Sequence, residues 1–431
     1  MKTKVQMLEP GFNLFESLKE LGKNISFPGV TTGLIGATFS ASIGLAIVMN
    51  VAREGGLDES LAVSWIFSSF LFAGLATMYV SLQTKQPVVI AWSIPGAILI
   101  GKYLAAGGNV YAAAGSYVVI SIAVLVLTAT GLIKRVIEHI PVPIMLGMVA
   151  GVLLSYGIGA FSNSMTNVPV YGSMIAVYFI WLSIKRLSSL IPAVVIAGIA
   201  GAFLVQYSGL CKSVSISLEV ATPVFIMPQL DLFSLLALGI PLFFMVVGVQ
   251  NIQAVGVLQS RGYKPPINTI YTVPSVITFL NAIMCAHTAV TAGPSTAIVS
   301  SDAAGKKEYR YIAAFFEGIF WVIIGLMGKV GVELTKLFPA QYMQVLVGLA
   351  LYDVFISTFH GAFGQRFRNG AMAAFFVAST NISLLKVGAP FWAIVAGVVV
   401  SLMTEREHFG IVAKGEPETE PVGVVAKQEA N

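Results

Sequence analysis

Two stretches of this chain place proline and small polar residues inside otherwise apolar runs. The first, at 87–104, is PVVIAWSIPGAILIGKYL, and the second, at 287–301, is HTAVTAGPSTAIVSS. Each begins with residues that tolerate a β-strand, breaks at a Pro-containing turn, and continues as a short apolar segment. Each stretch is too interrupted for an ordinary membrane span, and their similar form suggests an internal repeat. Paired interrupted segments of this kind are typical of a transporter's substrate site.

The chemistry expected at the two breaks is anion binding. Because proline suits the first turn of a helix, a helix should begin at each break, with its positive dipole end there. The backbone N–H groups that could then bind an anion are those of Gly96, Ala97, Ser295 and Thr296. The alternative is a pair of Pro-kinked helices in which serine side chains satisfy the backbone.

Other polar residues lie in apolar segments near the breaks. His287 can change charge near neutral pH, and Glu317 is an acid inside an apolar run, so both are candidates for proton coupling. A hydrogen-bonded structural histidine is an equally open interpretation of His287. The predicted substrate-binding residues are Ser40, Trp92, Ser93, Gly96, Ala97, Gln250, Asn251, His287, Gly293, Ser295 and Thr296.

Several of these residues also have simpler explanations. Small residues such as Ser40 allow close helix packing, and the amides of Gln250 and Asn251 could bond to the broken segment and not to a ligand. Trp92 could belong to an aromatic wall or could simply pack in the interior.

The composition predicts a polytopic membrane protein. Of 431 residues, 56% are hydrophobic and 10% are charged, against roughly 25% charged in a soluble domain. The net charge of +5 does not indicate nucleic-acid binding, because the basic residues lie in short loops. Cys211 and Cys285 suggest no disulfide framework. We find no enzyme motif, nucleotide-binding loop or metal-ligand cluster, so we expect neither catalysis nor a cofactor.

The elements that must position these residues are apolar segments of membrane-spanning length. Seven are predicted in each half, and an odd number per half inverts the second half relative to the first, giving an all-α, 14-segment, 7+7 inverted repeat with segments 3 and 10 broken into a short strand and a half-helix. The predicted segments are 28–52, 61–81, 87–104, 108–132, 142–162, 167–184, 190–207, 231–258, 267–285, 287–302, 311–334, 339–361, 370–385 and 389–404.

The distribution of basic residues predicts the orientation in a cell membrane. With both termini cytoplasmic, the cytoplasmic loops carry Lys85, Lys134, Arg135, Lys185, Arg186, Arg261, Lys264, Lys306, Lys307, Arg310, Arg366 and Arg368. The opposite side carries only Arg53, Lys102, Lys212, Lys329, Lys336 and Lys386. This asymmetry favours the cytoplasmic assignment of both ends.

Several strings resemble the BenE family of benzoate:proton symporters. VVIAWSIPGAIL is similar to that family's AWSTPGA-type motif, and GVQNIQAVGVLQSRGYKPPI to its QN…G…L…GY-PP segment. NVAREGGLDESLAVSW, GLMGKVGVELTKLFPAQYMQVLVGLAL and VGAPFWAIVAG extend the resemblance over most of residues 28–402.

This resemblance implies a fold like that of uracil-permease-type nucleobase transporters, with a core domain that moves against a gate domain in an elevator-like cycle, usually in a homodimer. Substrate would bind between segments 1, 3, 8 and 10. The predicted ranges are 1–27 for a cytoplasmic N-terminal segment, 28–132 and 231–335 for the core, 133–207 and 336–404 for the gate, 208–230 for an extracytoplasmic connector and 405–431 for a disordered cytoplasmic tail.

The predicted function is import of a small organic anion across the inner membrane with proton symport, most plausibly of an aromatic carboxylate such as benzoate. Nucleobase transporters of this fold commonly carry a glutamate in segment 8, where this chain has Gln250, Asn251 and Gln253. A nucleobase-type carrier and an anion channel or uniporter are the alternatives.

Overall fold

The computed structural model describes residues 6–188, 191–364, 366–385 and 387–409. The first five residues of the predicted N-terminal segment, the side chain of Arg186, Lys386 and the predicted tail from residue 410 lie outside the described residues.

Helices form most of the described chain, with four very short strands. The first half contains α1 Leu14–Asn24, α2 Phe27–Glu54, α3 Glu59–Thr84, β1 Ile90–Trp92, α4 Ile94–Ala105, α5 Val110–Ala129, α6 Ile133–His139, α7 Val142–Ser164, α8 Ser173–Ser183, α9 Lys185–Ser188 and α10 Ala193–Tyr207. The second half contains α11 Leu232–Ser234, α12 Ile240–Met245, α13 Asn251–Ser260, α14 Ile267–Ala282, β2 Ala289–Thr291, α15 Gly293–Val299, α16 Tyr311–Leu326, α17 Gly328–Lys336, α18 Ala340–Ala350, α19 Tyr352–Ala362, α20 Arg368–Ser379, β3 Ser383–Leu384, β4 Val387–Gly388 and α21 Ala389–Thr404.

Six helical stretches of the described chain are long and apolar enough to cross a membrane. They are Phe27–Glu54, Glu59–Thr84, Val110–Ala129, Val142–Ser183, Leu232–Ser260 and Lys307–Leu326. Helices α18 and α19, which meet at a bend of 42°, make a seventh if taken together. The chain is therefore a multi-pass, helical membrane-type protein, whereas the count of fourteen spans stays a prediction.

The structure differs from the predicted segments in three places. Between α7 and α8 the chain continues through a 3-10 turn at Met165–Asn167 and a π turn at Val168–Gly172, and the break is at Asn167, whose φ of −154° and ψ of 84° are not helical. The segment predicted at 231–258 contains π turns at Leu235–Gly239 and Val246–Gln250. The segment predicted at 370–385 ends as a helix at Ser379, because the chain then turns into the β3–β4 hairpin.

Small residues allow the central helices to approach closely. A Cβ on Gly33 of α2 would lie 2.5 Å from the Ala313 carbonyl oxygen of α16, and a Cβ on Gly74 of α3 would lie 2.5 Å from the Gly318 carbonyl oxygen. Only glycine fits such a contact, and small residues are what membrane helices use to approach each other. Helix α16 is thereby held between α2 and α3.

The helices pack in two groups. In one, α2, α3 and α16 pack together and α5 packs on α14; in the other, α7 packs on α18, α19 and α20, α8 on α10, and α20 on α21. Contacts between the groups run from α2 to α18, from α4 to α7, and from α7 and α21 to the segment that contains α12 and its two flanking π turns. The predicted division into core and gate domains stays a prediction, to which this packing gives a physical basis.

Strands β1 and β2 join the two interrupted stretches in an antiparallel pair. Ile90 lies opposite Thr291, Ala91 opposite Val290 and Trp92 opposite Ala289. Backbone bonds from Ser93 to Thr288 and from Ala292 to Val89, both 2.9 Å, extend the ladder on each side. Because α4 and α15 follow directly, the ladder places the starts of these helices in a fixed relation inside the protein.

Candidate functional site

The start of α4 is held by a saturated hydrogen-bond network centred on Ser93. Its Oγ accepts the Gly96 N–H at 2.9 Å, which caps the helix, and donates to Gln250 Oε1 at 2.7 Å. The Ser93 carbonyl oxygen accepts both the Ala97 N–H and His287 Nε2–H at 2.9 Å. Ser93 is fully buried, and each of its polar atoms has a hydrogen-bond partner within the protein.

His287 is fully buried with both ring nitrogens engaged. The indole N–H of Trp65 donates to Nδ1 at 2.8 Å. Because an indole nitrogen can only donate, Nδ1 must be the acceptor and Nε2 must carry the proton given to Ser93. A second proton on Nδ1 would face the Trp65 N–H, so this arrangement favours the neutral ring.

The start of α15 lacks such a cap. Its N-cap residue is Ala292, and no side chain accepts a bond from the first turn. The hydroxyl of Ser295 instead meets Ser40 of α2 at 2.6 Å, and both residues are buried. Among the described residues, no side chain accepts the N–H of Ser295, which stands at the third helical position.

Glu317 of α16 lies beside this uncapped start. It is fully buried, and the Ser295 hydroxyl is close to its carboxyl group. Within the described residues, neither carboxyl oxygen has a hydrogen-bond partner. A Cβ on Gly36 would lie 2.9 Å from Oε2, so the glycine makes room for the acid. An isolated buried carboxylate is costly, which favours the neutral acid here.

The two predicted amides, Gln250 directly before α13 and Asn251 at its first position, have different roles. Gln250 is half-buried and bonds to Ser93. Asn251 is fully buried, and its Oδ1 accepts the Thr291 N–H at 2.8 Å while its Nδ2 has no partner among the described residues. Gln250 therefore supports the start of α4 and Asn251 supports strand β2, while Asn251 Nδ2 is a donor without a partner among the described residues.

Trp92, Gly293 and Thr296 lie within the packing around the strands. The Trp92 ring centroid lies 4.1 Å from that of Phe70 and 5.0 Å from that of Trp321. The Gly293 Cα faces the Gln253 side chain, and Thr296 Oγ1 accepts the Val89 N–H at 3.3 Å.

Three of the four backbone donors expected to bind an anion already donate to protein. The N–H of Gly96 bonds to Ser93 Oγ, that of Ala97 to the Ser93 carbonyl and that of Thr296 to the Ala292 carbonyl. The last two are the first regular bonds of each helix, which an N-cap carbonyl always accepts. The structure thus reduces the expected set of free donors to Ser295.

A cavity of about 590 Å³ reaches the start of α15 from between the two helix groups. Pro294 and Phe39 border it on one side, and Tyr178, Lys185 and Asp353 on the other. The start of α4 faces no such space: the gap lined by Pro95, Met148 and Met245 has no room for a water molecule. At the second helix start, Pro294 therefore borders open space, whereas Ser295 behind it is buried.

The chain matches the family model described as benzoate membrane transport protein, BenE, over residues 23–403. It belongs to the BenE family. The inner membrane protein YdcO of Escherichia coli (strain K12) is 27% identical over 388 residues, covering 89% of this chain and 98% of that protein. The benzoate membrane transport protein of Acinetobacter baylyi is 28% identical over 384 residues, covering 89% and 96%.

Solved transporter structures share the fold at low sequence identity. SLC26A9 superposes with a TM-score of 0.58 at 16% identity, covering 90% of this chain and 67% of that chain. The transmembrane domain of the cyanobacterial bicarbonate transporter BicA gives 0.54 at 14% identity, covering 86% and 98%. The resemblance to the BenE family is confirmed, and the fold is of the SLC26/BicA type.

Sequence reasoning missed the residues of this BenE family member that support the site. Trp65 fixes the His287 tautomer, and Asn281 donates to the His287 carbonyl at 2.9 Å. Gly36 admits Glu317, and the Thr288 hydroxyl, fully buried, has no partner among the described residues. A signal existed only for Trp65, which lies in one of the strings that resemble the family.

Proposed function

We propose that this protein imports a small aromatic carboxylate such as benzoate by proton symport. The observation that carries the proposal is the buried Glu317, which has no hydrogen-bond partner among the described residues, beside the uncapped start of α15. Pro294, in the first turn of that helix, borders a cavity between the two helix groups. The family assignment and the relative named as a benzoate transport protein support the substrate class.

The substrate carboxylate would bind at the start of α15, where Ser295 offers its N–H and hydroxyl and Ser40 offers a second hydroxyl. The positive end of the helix favours the anion. The ring would extend into the apolar part of the cavity, against Phe39 and Ile43. Ser93, Gln250 and His287 would hold the first helix start in place, so they support the site from behind.

Of the two proton-coupling candidates, we propose Glu317 as the carrier. A carboxylate entering next to an ionised Glu317 would meet a like charge, whereas the neutral acid can donate a hydrogen bond to it. The proton and the anion that cross together then carry no net charge, whereas either ion crossing alone would carry one. Binding and protonation are coupled through this contact.

The finer architecture belongs to the same proposal. We infer fourteen segments in a 7+7 inverted repeat, with β1–α4 and β2–α15 as its broken segments, both termini cytoplasmic, and a homodimer in the inner membrane. The group containing α2, α4, α15 and α16 would move as the core against the group containing α7, α10 and α18 in an elevator-like cycle. The loose contact between the groups supports this assignment.

An uncoupled anion uniporter is a second candidate. The bonding of His287 favours the uniporter: a neutral ring with both nitrogens engaged is a poor proton carrier. Coupling would then depend on Glu317 alone among the residues close to Ser295. Murine Slc26a9, an anion transporter of known structure, has a similar fold.

The test uses proteoliposomes that contain pyranine as an internal pH indicator. With benzoate outside, symport predicts internal acidification that saturates with benzoate concentration and is absent from protein-free vesicles. Saturable uptake of labelled benzoate without acidification would establish the uniporter instead. Inhibition by uracil or xanthine but not by benzoate would contradict the aromatic-acid assignment.

A further inference from the structure

A second cavity, of about 1000 Å³, lies at the opposite end of the two helix groups. We call it the distal cavity, and its lining includes Leu99, Lys102, Tyr103, Asn109, Gln229 and Ser383. Gly55, directly after α2, packs against Leu104 near the end of α4, whereas the first cavity is lined by Ile35 and Phe39 from the first half of α2. The two cavities therefore open toward opposite ends of α2.

Helix α4 connects the distal cavity to the candidate site. Pro95 in its first turn and Leu99 one turn later border the packed gap between α4 and α7 that has no room for water. Leu99 also lines the distal cavity, and Lys102 follows one turn further on. Helix α4 thus has its capped start at one end, tightly packed apolar residues in its first two turns, and Lys102 in the lining of the distal cavity.

Lys102 is the only basic residue in the described lining of the distal cavity. No carboxylate in the described chain forms an ion pair with it. Its Nζ lies 5.4 Å from the centroid of the Tyr156 ring, and the buried Tyr156 hydroxyl has no partner among the described residues. Lys102 and Tyr156 both line a small pocket beside the cavity, together with Glu54 and Asn50.

Two acidic residues lie in this region and must be weighed. Asp231 lines the cavity, but its carboxylate accepts the Ser234 N–H at 2.6 Å and so caps α11. Glu54 attracts Lys102 electrostatically and accepts a bond from Asn50 Nδ2 at 3.0 Å. Glu54 therefore competes with any anion for the lysine without forming a direct pair with it.

We infer that the distal cavity is a carboxylate-capture site, in which the Lys102 ammonium binds the acid group of a small aromatic carboxylate before the main site becomes accessible from that side. The inference rests on the proposed function. Tyr103, Leu99 and other apolar lining residues offer a surface for the ring. Because Lys102 contributes a single, partly screened charge, its loss should weaken the initial binding of the carboxylate without slowing the later movement of the protein.

The test is initial uptake of labelled benzoate by intact cells over a range of external concentrations and salt. Lys102→Gln should raise KM about three- to tenfold with Vmax within about twofold, as expected for a single partly screened charge pair. It should also reduce the salt dependence of KM. Lys102→Arg should restore the wild-type KM. Glu54→Gln should lower KM, because it removes the competing charge.

Lys212→Gln is the matched control. Lys212 lies on the same face of the protein as Lys102, because its N–H bonds to the Leu337 carbonyl. The neighbouring Lys336 pairs with Glu59 at the start of α3. Lys212 does not line the distal cavity. An unchanged KM in Lys102→Gln, or a loss of Vmax alone, overturns the inference. If Lys102→Gln fails to fold, an unchanged or raised KM in Glu54→Gln overturns it. Absence of saturable uptake by the wild type would overturn the proposed function itself, and this inference with it.

Discussion

The starts of α4 and α15 have the same sequence pattern and different physical states. At α4, Ser93 caps the helix, bonds to Gln250 and receives His287. At α15, the N-cap is alanine, and the nearby polar groups include a carboxyl with no partner among the described residues. The first start faces apolar packing, and the second borders a cavity of about 590 Å³.

Other helix starts in the protein resemble α4. Glu9 accepts the backbone N–H groups of Asn268 and Thr269 at the start of α14, and Glu405 accepts those of Asn369 and Gly370 at the start of α20. Buried helix starts normally need such partners. The starts of α10 and α18 also lack a side-chain cap, so the start of α15 is set apart by the buried Glu317 beside it. A change at this start should affect transport more than stability.

The largest expected effect is that of Glu317→Gln. The amide cannot release or take up a proton, so benzoate-driven acidification of proteoliposomes should fall to the level of protein-free vesicles. Exchange of labelled for unlabelled benzoate at equal pH should continue. Glu308→Gln, at an exposed acid outside the site, is the control. Acidification that persists in Glu317→Gln would exclude this residue as the proton carrier.

His287→Gln should lower stability and leave the pH profile of uptake unchanged. Loss of the bonds from Trp65 and to Ser93 leaves buried groups unsatisfied, at a cost of about 2 kcal/mol. Thermal unfolding in detergent measures the first effect, with His360→Gln, at an exposed site, as the control. A variant of normal stability that exchanges benzoate but no longer responds to a pH gradient would make His287 the proton carrier.

Ser93→Ala and Ser295→Ala are a matched pair across the two helix starts. Ser93→Ala removes a cap and the partner of Gln250, so it should lower stability by about 1 to 2 kcal/mol. Ser295→Ala breaks one bond, to Ser40, so it should lower stability by about 1 kcal/mol or less and weaken benzoate binding about fivefold, the equivalent of one hydrogen bond. Equal effects of the two variants on binding would remove the distinction between the two starts.

The smallest effect is expected for the capped start of α20. Burial acts to raise the pKa of Glu405, but bonds from the Ser401 hydroxyl and the N–H groups of Asn369 and Gly370 outweigh it and hold the pKa below the ordinary 4.5. Because the pKa of Glu405 is lower in the folded protein than in the unfolded chain, its ionised carboxylate stabilises the fold above pH 4.5. This stabilisation is lost as the pH falls through the lowered pKa.

Glu405→Gln should therefore cost about 0.5 to 1 kcal/mol at pH 7 and progressively less in acid. Denaturation at several pH values measures this change, and the exposed Glu407→Gln is the control. Transport should be unaffected. A change in benzoate KM would show that a capped start also contributes to the substrate route.

Much of the fold follows from local features of the sequence. Apolar runs predicted the spanning helices, because a membrane segment must satisfy its backbone internally. Pro95 and Pro294 marked real helix starts, since proline fits the first turn. The backbone donors were predicted less well: Ala97 and Thr296 were assigned to a ligand, although the first regular helix bonds use their N–H groups.

The sequence by itself determined that this is a multi-pass membrane protein of the BenE type with two interrupted stretches, because composition, proline position and family motifs are local properties. Only the tertiary structure decided which stretch is sealed and which is open. That difference depends on contacts between residues far apart in the chain, such as Ser40 with Ser295, Gly36 with Glu317 and Trp65 with His287. No local pattern encodes which of two similar helix starts finds its partners inside the protein.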